Sequence, residues 1–196
     1  MRFFTFRKAA LAVKKAGQIL RFTRGKGYWL FGPAEEITMY DSVDLSQIPS
    51  NAPAVAGYVG GHWPTYSQLA GKFPQAHRLS IAVQASEDAE CLDVEKGDAQ
   101  IADAPAWVKR QMKRGVKRPV VYTSVSQAQP LLNYLAAYGI HWSQVRLWTA
   151  HYTFRPHRCD QACGFGFTGR ADATQFSDHA LGRNLDSSLC SPEFFS

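Results

Sequence analysis

No uninterrupted run of about 18 apolar residues occurs in this 196-residue chain, so no segment is long enough to cross a bilayer as a helix. A secretory signal is not recognisable either. The basic start, Met1-Arg2-Phe3-Phe4-Thr5-Phe6-Arg7-Lys8, is followed only by apolar Ala9 to Val13 before Lys14-Lys15 interrupts. No Gly-x-Gly-x-x-Gly follows the first strand-like run, which leaves a dinucleotide site nothing to rest on. Acidic residues are missing from residues 1–26, where Arg2, Arg7, Lys8, Lys14, Lys15, Arg21, Arg24 and Lys26 stand unopposed. The other 14 basic and 16 acidic side chains leave 27–196 at a net −2, so the formal charge of +6 belongs to the N-terminal segment. A near-neutral body gives nucleic acid little to bind, and nucleic acid is not an expected partner.

Cysteine is sparse. Cys91, Cys159, Cys163 and Cys190 allow three pairings if all are bridged, and buried free thiols are the other reading. Cys159-x3-Cys163 preceded by His157 carries zinc-ligand residue types. The usual Cys-x2-Cys pair and a second ligand cluster are both absent, so no metal is expected.

What is present begins with a basic amphipathic pattern over residues 5–23. Phe6, Ala10, Val13, Gly17 and Leu20 fall on one helical stripe, with Arg7, Lys14 and Arg21 on a neighbouring one. Such a helix docks on an anionic membrane surface or a larger assembly, or packs on its own body. Gly25, Gly27, Gly32 and Pro33 then mark 24–37 as a linker.

Eight short apolar runs follow: Ile37–Val43, Val55–Val59, Arg78–Val83, Glu90–Glu95, Pro119–Thr123, Val145–Tyr152, Ala171–Phe176 and Arg183–Leu189. Asp103 with Pro105 opens a helix through Trp107, Val108 and Met112 to Gly115. Ser126-x-x-Gln129 reads as a capping box for a second, Gln127 to Tyr138, closed by Gly139. Strands alternating with helices argue for parallel strands and right-handed crossovers. The expectation is an α/β fold, a compact, reduced (β/α)8 TIM-like barrel of about 150 residues where ~250 is usual. An open doubly wound sheet is the alternative.

In such a barrel the chemistry lies at the C-terminal strand ends. There the chain places Asp41 and Asp44, Tyr58, Asp93 and Glu95, Tyr122, Trp148 and Tyr152, Gln175, and Asp186. Asp93 and Glu95 share a strand face, with Cα atoms roughly 6–7 Å apart. Two acids that close repel when both are ionised, so one keeps its proton towards neutral pH. A protonated acid beside a carboxylate is what glycosidic cleavage requires.

The segment 38–190 resembles the family 25 glycoside hydrolases, the lysozyme-like muramidases of bacteria and phages. The matching pieces are Tyr40-Asp41-Ser42-Val43, Leu92-Asp93-Val94-Glu95, Val121-Tyr122-Thr123, Leu147-Trp148-Thr149-Ala150, Thr174-Gln175-Phe176 and Asn184-Leu185-Asp186. Gly57-Tyr58-Val59-Gly60-Gly61 looks closer to small related barrels of actinobacteria and their phages. The resemblance implies cleavage of the β-1,4 bond between N-acetylmuramic acid and N-acetylglucosamine in peptidoglycan, without metal or cofactor. Glu95 would be the general acid, with Asp93, Asp41 and Asp186 supporting it. Tyr58, Tyr122, Trp148, Tyr152 and Gln175 would bind the saccharide. The expected organisation is an N-terminal helix and linker (1–37) before a barrel domain (38–196), placed outside the cell, at the wall or on a virion. The competing reading is a non-catalytic structural or saccharide-binding module on the same barrel.

Overall fold

The computed structural model describes residues 18–22, 29–33 and 35–196. Strands β1 (Gln18–Phe22) and β2 (Trp29–Pro33) pair antiparallel, Phe22 opposite Trp29 and Gln18 opposite Pro33. The expected helix over 5–23 is therefore corrected at its end, and the rest of it lies outside the described residues. The expected linker likewise contains a strand. Ile19, Phe22, Trp29 and Phe31 are residue types that favour extended backbone over helix, which the 3.6-residue stripe underweighted.

The eight expected strands all form, and they close into a barrel in sequence order. They are β3 (Ile37–Asp41), β4 (Ala54–Tyr58), β5 (His77–Ala82), β6 (Cys91–Asp93), β7 (Val120–Ser124), β8 (Arg146–Ala150), β9 (Ala173–Ser177) and β10 (Asp186–Cys190). Neighbours from β3 through β9 run parallel. The last strand does not: β10 is antiparallel to both β9 and β3 and closes the ring between them.

This mixed closed barrel departs from the expected (β/α)8 pattern. Only three α-helices occur among the described residues: α1 (Tyr66–Lys72), α2 (Ala104–Lys113) and α3 (Val125–Ala137). An antiparallel last strand returns through a short connection, where a parallel one would need a full crossover. Elsewhere hydrogen-bonded loops stand in for helices. Between β5 and β6, Glu87 Oε2 accepts from the Val83 and Gln84 amides at 3.0 and 3.1 Å. The Glu87 carbonyl in turn accepts from Trp107 Nε1 at 2.8 Å, tying the loop to α2.

The helix signals are largely legible. Asp103 and Pro105 do mark the start of α2. The capping box at Ser126 is a correction: α3 starts with Val125, and Ser124 takes the N-cap position with its Oγ 3.0 Å from Ser126 Oγ.

Two apolar layers hold the ring. Strand residues with the period of two expected of a pleat turn Met39, Ala54, Ala56, Leu79, Ile81, Cys91, Val120 and Trp148 inward. Phe194 and Arg146 plug the lower end, the guanidinium lying 5.7 Å from the ring centroid and donating to the Phe194 carbonyl. Outward, Leu92, Val121 and Leu147 meet Trp107, Val108, Leu131 and Leu135 of α2 and α3. On the other flank Val55 and Leu185 meet Leu45, Ile48, Leu69 and Phe73.

Trp107 is fully buried and, with Arg110 and Gln111, ties α2 to the β5–β6 loop. Trp107→Ala should lower the unfolding free energy by about 3–5 kcal/mol, the usual cost of emptying such a site, measured by urea denaturation. A loss below about 1 kcal/mol would contradict this packing.

Candidate functional site: an acid cavity at the barrel mouth

The pleat that packs the interior also loads its upper end with acids. On β3 Met39 faces the core and Asp41, two residues on, faces the mouth. On β6 Cys91 and Asp93 repeat the pattern, and Leu92 between them packs outward. The pairing of β6 with β7 continues one residue past the strand, through Val94 N to the Tyr122 carbonyl at 2.9 Å. Thr123 Oγ1 donates to the Val94 carbonyl at 2.9 Å. This pins the backbone between Asp93 and Glu95 and keeps both on one side.

All nine residues expected at the site line one cavity of about 220 Å³: Asp41, Tyr58, Asp93, Glu95, Tyr122, Trp148, Tyr152, Gln175 and Asp186, joined by Ile81 and Asp98. Asp44 is the exception. It sits on an exposed turn, accepting from the Ser46 amide at 2.9 Å and from Gln47 Nε2 at 3.1 Å. Asp98 was not anticipated, although it ends the same acidic run. It reaches the mouth because the 93–98 segment turns through Gly97, whose φ of 106° suits only glycine.

Asp186 reaches the mouth for a reason opposite to the one expected. It begins its strand, so a parallel β10 would carry it to the plugged end. Running antiparallel, β10 sets Asp186 in register with Asp41. The two carboxyls interact as a hydrogen-bonded pair: burial, then the charge and hydrogen bond of Asp186, hold Asp41 protonated far above the ordinary range. Asp186 is pushed up to about 6, mainly by burial, with the hydrogen bond from Asp41 restraining the rise.

Asp93 is only 8% exposed, and its carboxyl is pushed up to about 8 by burial, then by Glu95 and Asp98. Glu95, half-buried at the rim, is raised by burial and by the charges of Asp98 and Asp186. Of the adjacent pair, Asp93 thus holds its proton more tightly, whereas Glu95 was the expected holder. Glu95 is nevertheless raised and faces the cavity.

The walls are aromatic and amide. Tyr122 and Trp148 are packed with ring centroids 4.6 Å apart. Tyr122 Oη donates to Gln175 Oε1 at 2.5 Å, and Trp148 Nε1 to Ser188 Oγ at 3.0 Å. These bonds orient both rings, while Tyr152 stands at the rim, 46% exposed. Asp41 Oδ1 and Asp93 Oδ1 are buried with no hydrogen-bond partner from the chain, which is costly for polar atoms unless a ligand uses them.

Two grooves meet this cavity. One, of about 680 Å³, shares Tyr58, Asp93 and Asp98 with it and runs past Val43, His62 and Trp63. The other, of about 560 Å³, shares Glu95 and runs along Lys96, Gln100, Thr123 and Ser124. Trp63, 62% exposed, gives the first groove an aromatic face. A groove of about 450 Å³ on the opposite flank, lined by Arg78, Glu90 and Arg114, contains none of the mouth residues.

All four cysteines are free, so the disulfide reading does not apply to this structure. Beside the mouth, in the loop after β8, His151, His157, Cys159 and Cys163 bring one ligand-type atom each within 4.8 Å of one another. Local spacing argued against a metal because His151 comes from the strand end, outside the Cys159-x3-Cys163 motif.

No family model matches the chain, and no curated protein matches it. Among solved structures it is similar to an uncharacterized B. stearothermophilus protein, at 13% identity with a TM-score of 0.53, covering 79% of this chain and 95% of that one. A likeness at that identity shows the fold alone.

The raised carboxyl of Asp93 has a consequence for stability. The folded state binds this proton up to about pH 8, the unfolded chain only to about 3.8, so stability falls as pH rises across that window. Asp93→Asn should lose less stability between pH 5 and 8 than the wild type, by up to about 4 kcal/mol, since each of those three pH units is worth about 1.4 kcal/mol. Denaturation midpoints with the same pH dependence in both proteins would contradict the assignment.

Proposed function

We propose that the protein hydrolyses a glycosidic bond of a cell-wall polysaccharide, most specifically the β-1,4 linkage between N-acetylmuramic acid and N-acetylglucosamine in peptidoglycan. The observation that carries this is the placement of Glu95. It is a raised carboxyl at the junction of the acid cavity and the second groove, while the first groove meets the cavity at Tyr58, Asp93 and Asp98. A linear glycan lying along both grooves puts an internal linkage over Glu95. The matches to the family 25 muramidases at Asp93-Val94-Glu95 and at Asp41, Gln175 and Asp186 favour the same chemistry.

In this reading Glu95 gives its proton to the glycosidic oxygen as the bond to C1 breaks, and water supplies the hydroxyl that ends on C1. Asp93, still neutral, donates a hydrogen bond to a substituent of the sugar. The Asp41–Asp186 pair, carrying one negative charge between them once Asp186 ionises, faces the positive charge that develops at C1. Tyr58, Tyr122, Trp148 and Tyr152 wall the cavity, and Gln175 is fixed by Tyr122. The expected site outside the cell or on a virion follows from this substrate.

The second reading is a saccharide-binding or structural module without turnover. A neutral Asp93 serves it as well, as a hydrogen-bond donor to a bound sugar that is not cleaved.

Release of reducing ends from purified cell walls separates the two. Glu95→Gln should lower the rate at least about 100-fold, the scale of a lost general acid, with wall binding retained. Binding by the wild type with no release of reducing ends would establish the second reading. The pH profile adds a further prediction. Activity should fall as pH rises through the raised pKa of Glu95, and Asp98→Asn, which removes a charge that raises it, should move that fall to lower pH. A fall unmoved by Asp98→Asn would contradict the role of Glu95.

A further inference from the structure

The loop between β8 and β9, residues 151–172, has no regular structure beyond one 3-10 turn at Gln161–Cys163. Two of its non-glycine residues, Phe154 and Phe165, sit at positive φ (58° and 56°) with side chains largely exposed. Long loops of this kind inside a compact domain need something to fix them. Its outer half is tied down by Arg158, which reaches the Ala171 carbonyl at 2.9 Å and Glu36 at 2.7 Å, and by Thr168 on Gln129. At its centre lies a cluster of four side chains, of which Cys159 is buried in the core together with Phe167 and Ala171 of the same loop.

The geometry points to a single zinc ion bound there by His151 Nδ1, His157 Nε2, Cys159 Sγ and Cys163 Sγ. Zn–N bonds of about 2.0–2.1 Å and Zn–S bonds of about 2.3 Å, arranged tetrahedrally, set N···N near ~3.3 Å and N···S near ~3.5 Å. The chain has the two histidine nitrogens 3.1 Å apart. It has Cys159 Sγ 3.4 Å from His151 Nδ1 and 3.6 Å from His157 Nε2. The separations that involve Cys163 lie within 4.8 Å. Each of these three edges is thus within about 0.3 Å of a zinc tetrahedron's.

The surroundings are those of a ligand set. His157 Nδ1 is 2.9 Å from the Arg155 carbonyl and 3.1 Å from Thr153 Oγ1. A proton on Nδ1 donated to that carbonyl leaves Nε2 as the free lone pair aimed at the cluster. The Cys159 amide donates to Thr174 Oγ1 at 2.8 Å, anchoring the buried thiol to β9. Two cysteines and two histidines make a closed site with no open position for substrate, which is a structural site rather than a catalytic one. Binding exchanges the two thiol protons for one Zn²⁺, leaving two thiolates and releasing two protons.

The ion fastens this loop beside the acid cavity, because Tyr152, a cavity wall, lies between ligands 151 and 157. This assignment stands on the loop alone and does not depend on what the cavity does.

The test uses the full-length chain, reduced, stripped of metal and titrated with Co²⁺. One equivalent should bind, with tetrahedral visible bands and a thiolate-to-cobalt band in the near ultraviolet. Zn²⁺ should then displace it and raise the melting temperature with concentration. Cys163→Ser and His157→Ala should each lose the thiolate bands or the stoichiometric binding, while Cys91→Ala, in the barrel interior, should keep both. Three results would overturn the site: no cobalt bands with the thiols shown to be reduced, full binding retained by Cys163→Ser, or a Cys159–Cys163 disulfide in the freshly purified protein. Should a variant fail to fold, the wild-type protein still tests the site, which falls if the reduced chain gives no thiolate-to-cobalt band.

Discussion

The closure of the barrel places two carboxyls face to face. Strand β10 enters antiparallel between β9 and β3, and the register that completes the ring is the one that sets Asp186 opposite Asp41. The two cannot both be ionised at that depth, so burial and the neighbouring Asp186 hold one proton on Asp41. That constraint spreads. Burial, then the charges of Asp98 and Asp186, raises Glu95, and burial, then Glu95 and Asp98, raises Asp93. The site is therefore a ring of acids whose protonation is set jointly by the strand pairing, not a set of independent side chains.

The same barrel interior solves two incompatible problems along its axis. Below the mouth it is packed with Met39, Leu79, Ile81, Cys91, Val120 and Trp148 and plugged by Phe194, which supplies the apolar burial that a chain of this size needs. Above, it spends part of that stability on buried acids, two of whose oxygens find no partner in the chain. A polar site confined to one end of an apolar tube excludes water on three sides, which strengthens every electrostatic interaction in it. Helices α2 and α3 cover one flank and the single short helix α1 the other. Loops held by Glu87 and by the His–Cys cluster complete the wall, which explains how a closed ring is reached with so few crossovers.

Most of the ring was legible in the sequence because its signals are local. Eight short apolar runs at strand length marked the strands, and the polar residues at their C-terminal ends marked Asp41, Asp93, Tyr122 and Gln175. The direction of β10 was not legible, since an apolar run has no polarity and only the pairing partner decides it. Asp186 was placed at the mouth under the wrong strand direction and stands there through the right one. Asp98 was missed because it leaves the strand and returns by a glycine turn, a feature that no periodicity marks. The Cys–His cluster was passed over because its fourth member, His151, stands six residues before His157, outside the short spacing that joins His157, Cys159 and Cys163. The N-terminal stripe shows the opposite failure, in which a helical period over residues 5–23 coexists with extended backbone at Gln18–Phe22.

The account depends on buried acids that keep their protons at neutral pH, and carbon-13 NMR of the Asp and Glu carboxyl carbons, followed from pH 3 to 9, observes this without any substrate. Assignments come from single Asp→Asn and Glu→Gln variants. The account predicts that the Asp93 carboxyl carbon titrates with a midpoint near 8, and that Asp41 is still protonated where Asp186, near 6, is half ionised. Midpoints near 4 for both Asp41 and Asp93 would mean that these carboxyls are solvated and independent, and the account would fail with them.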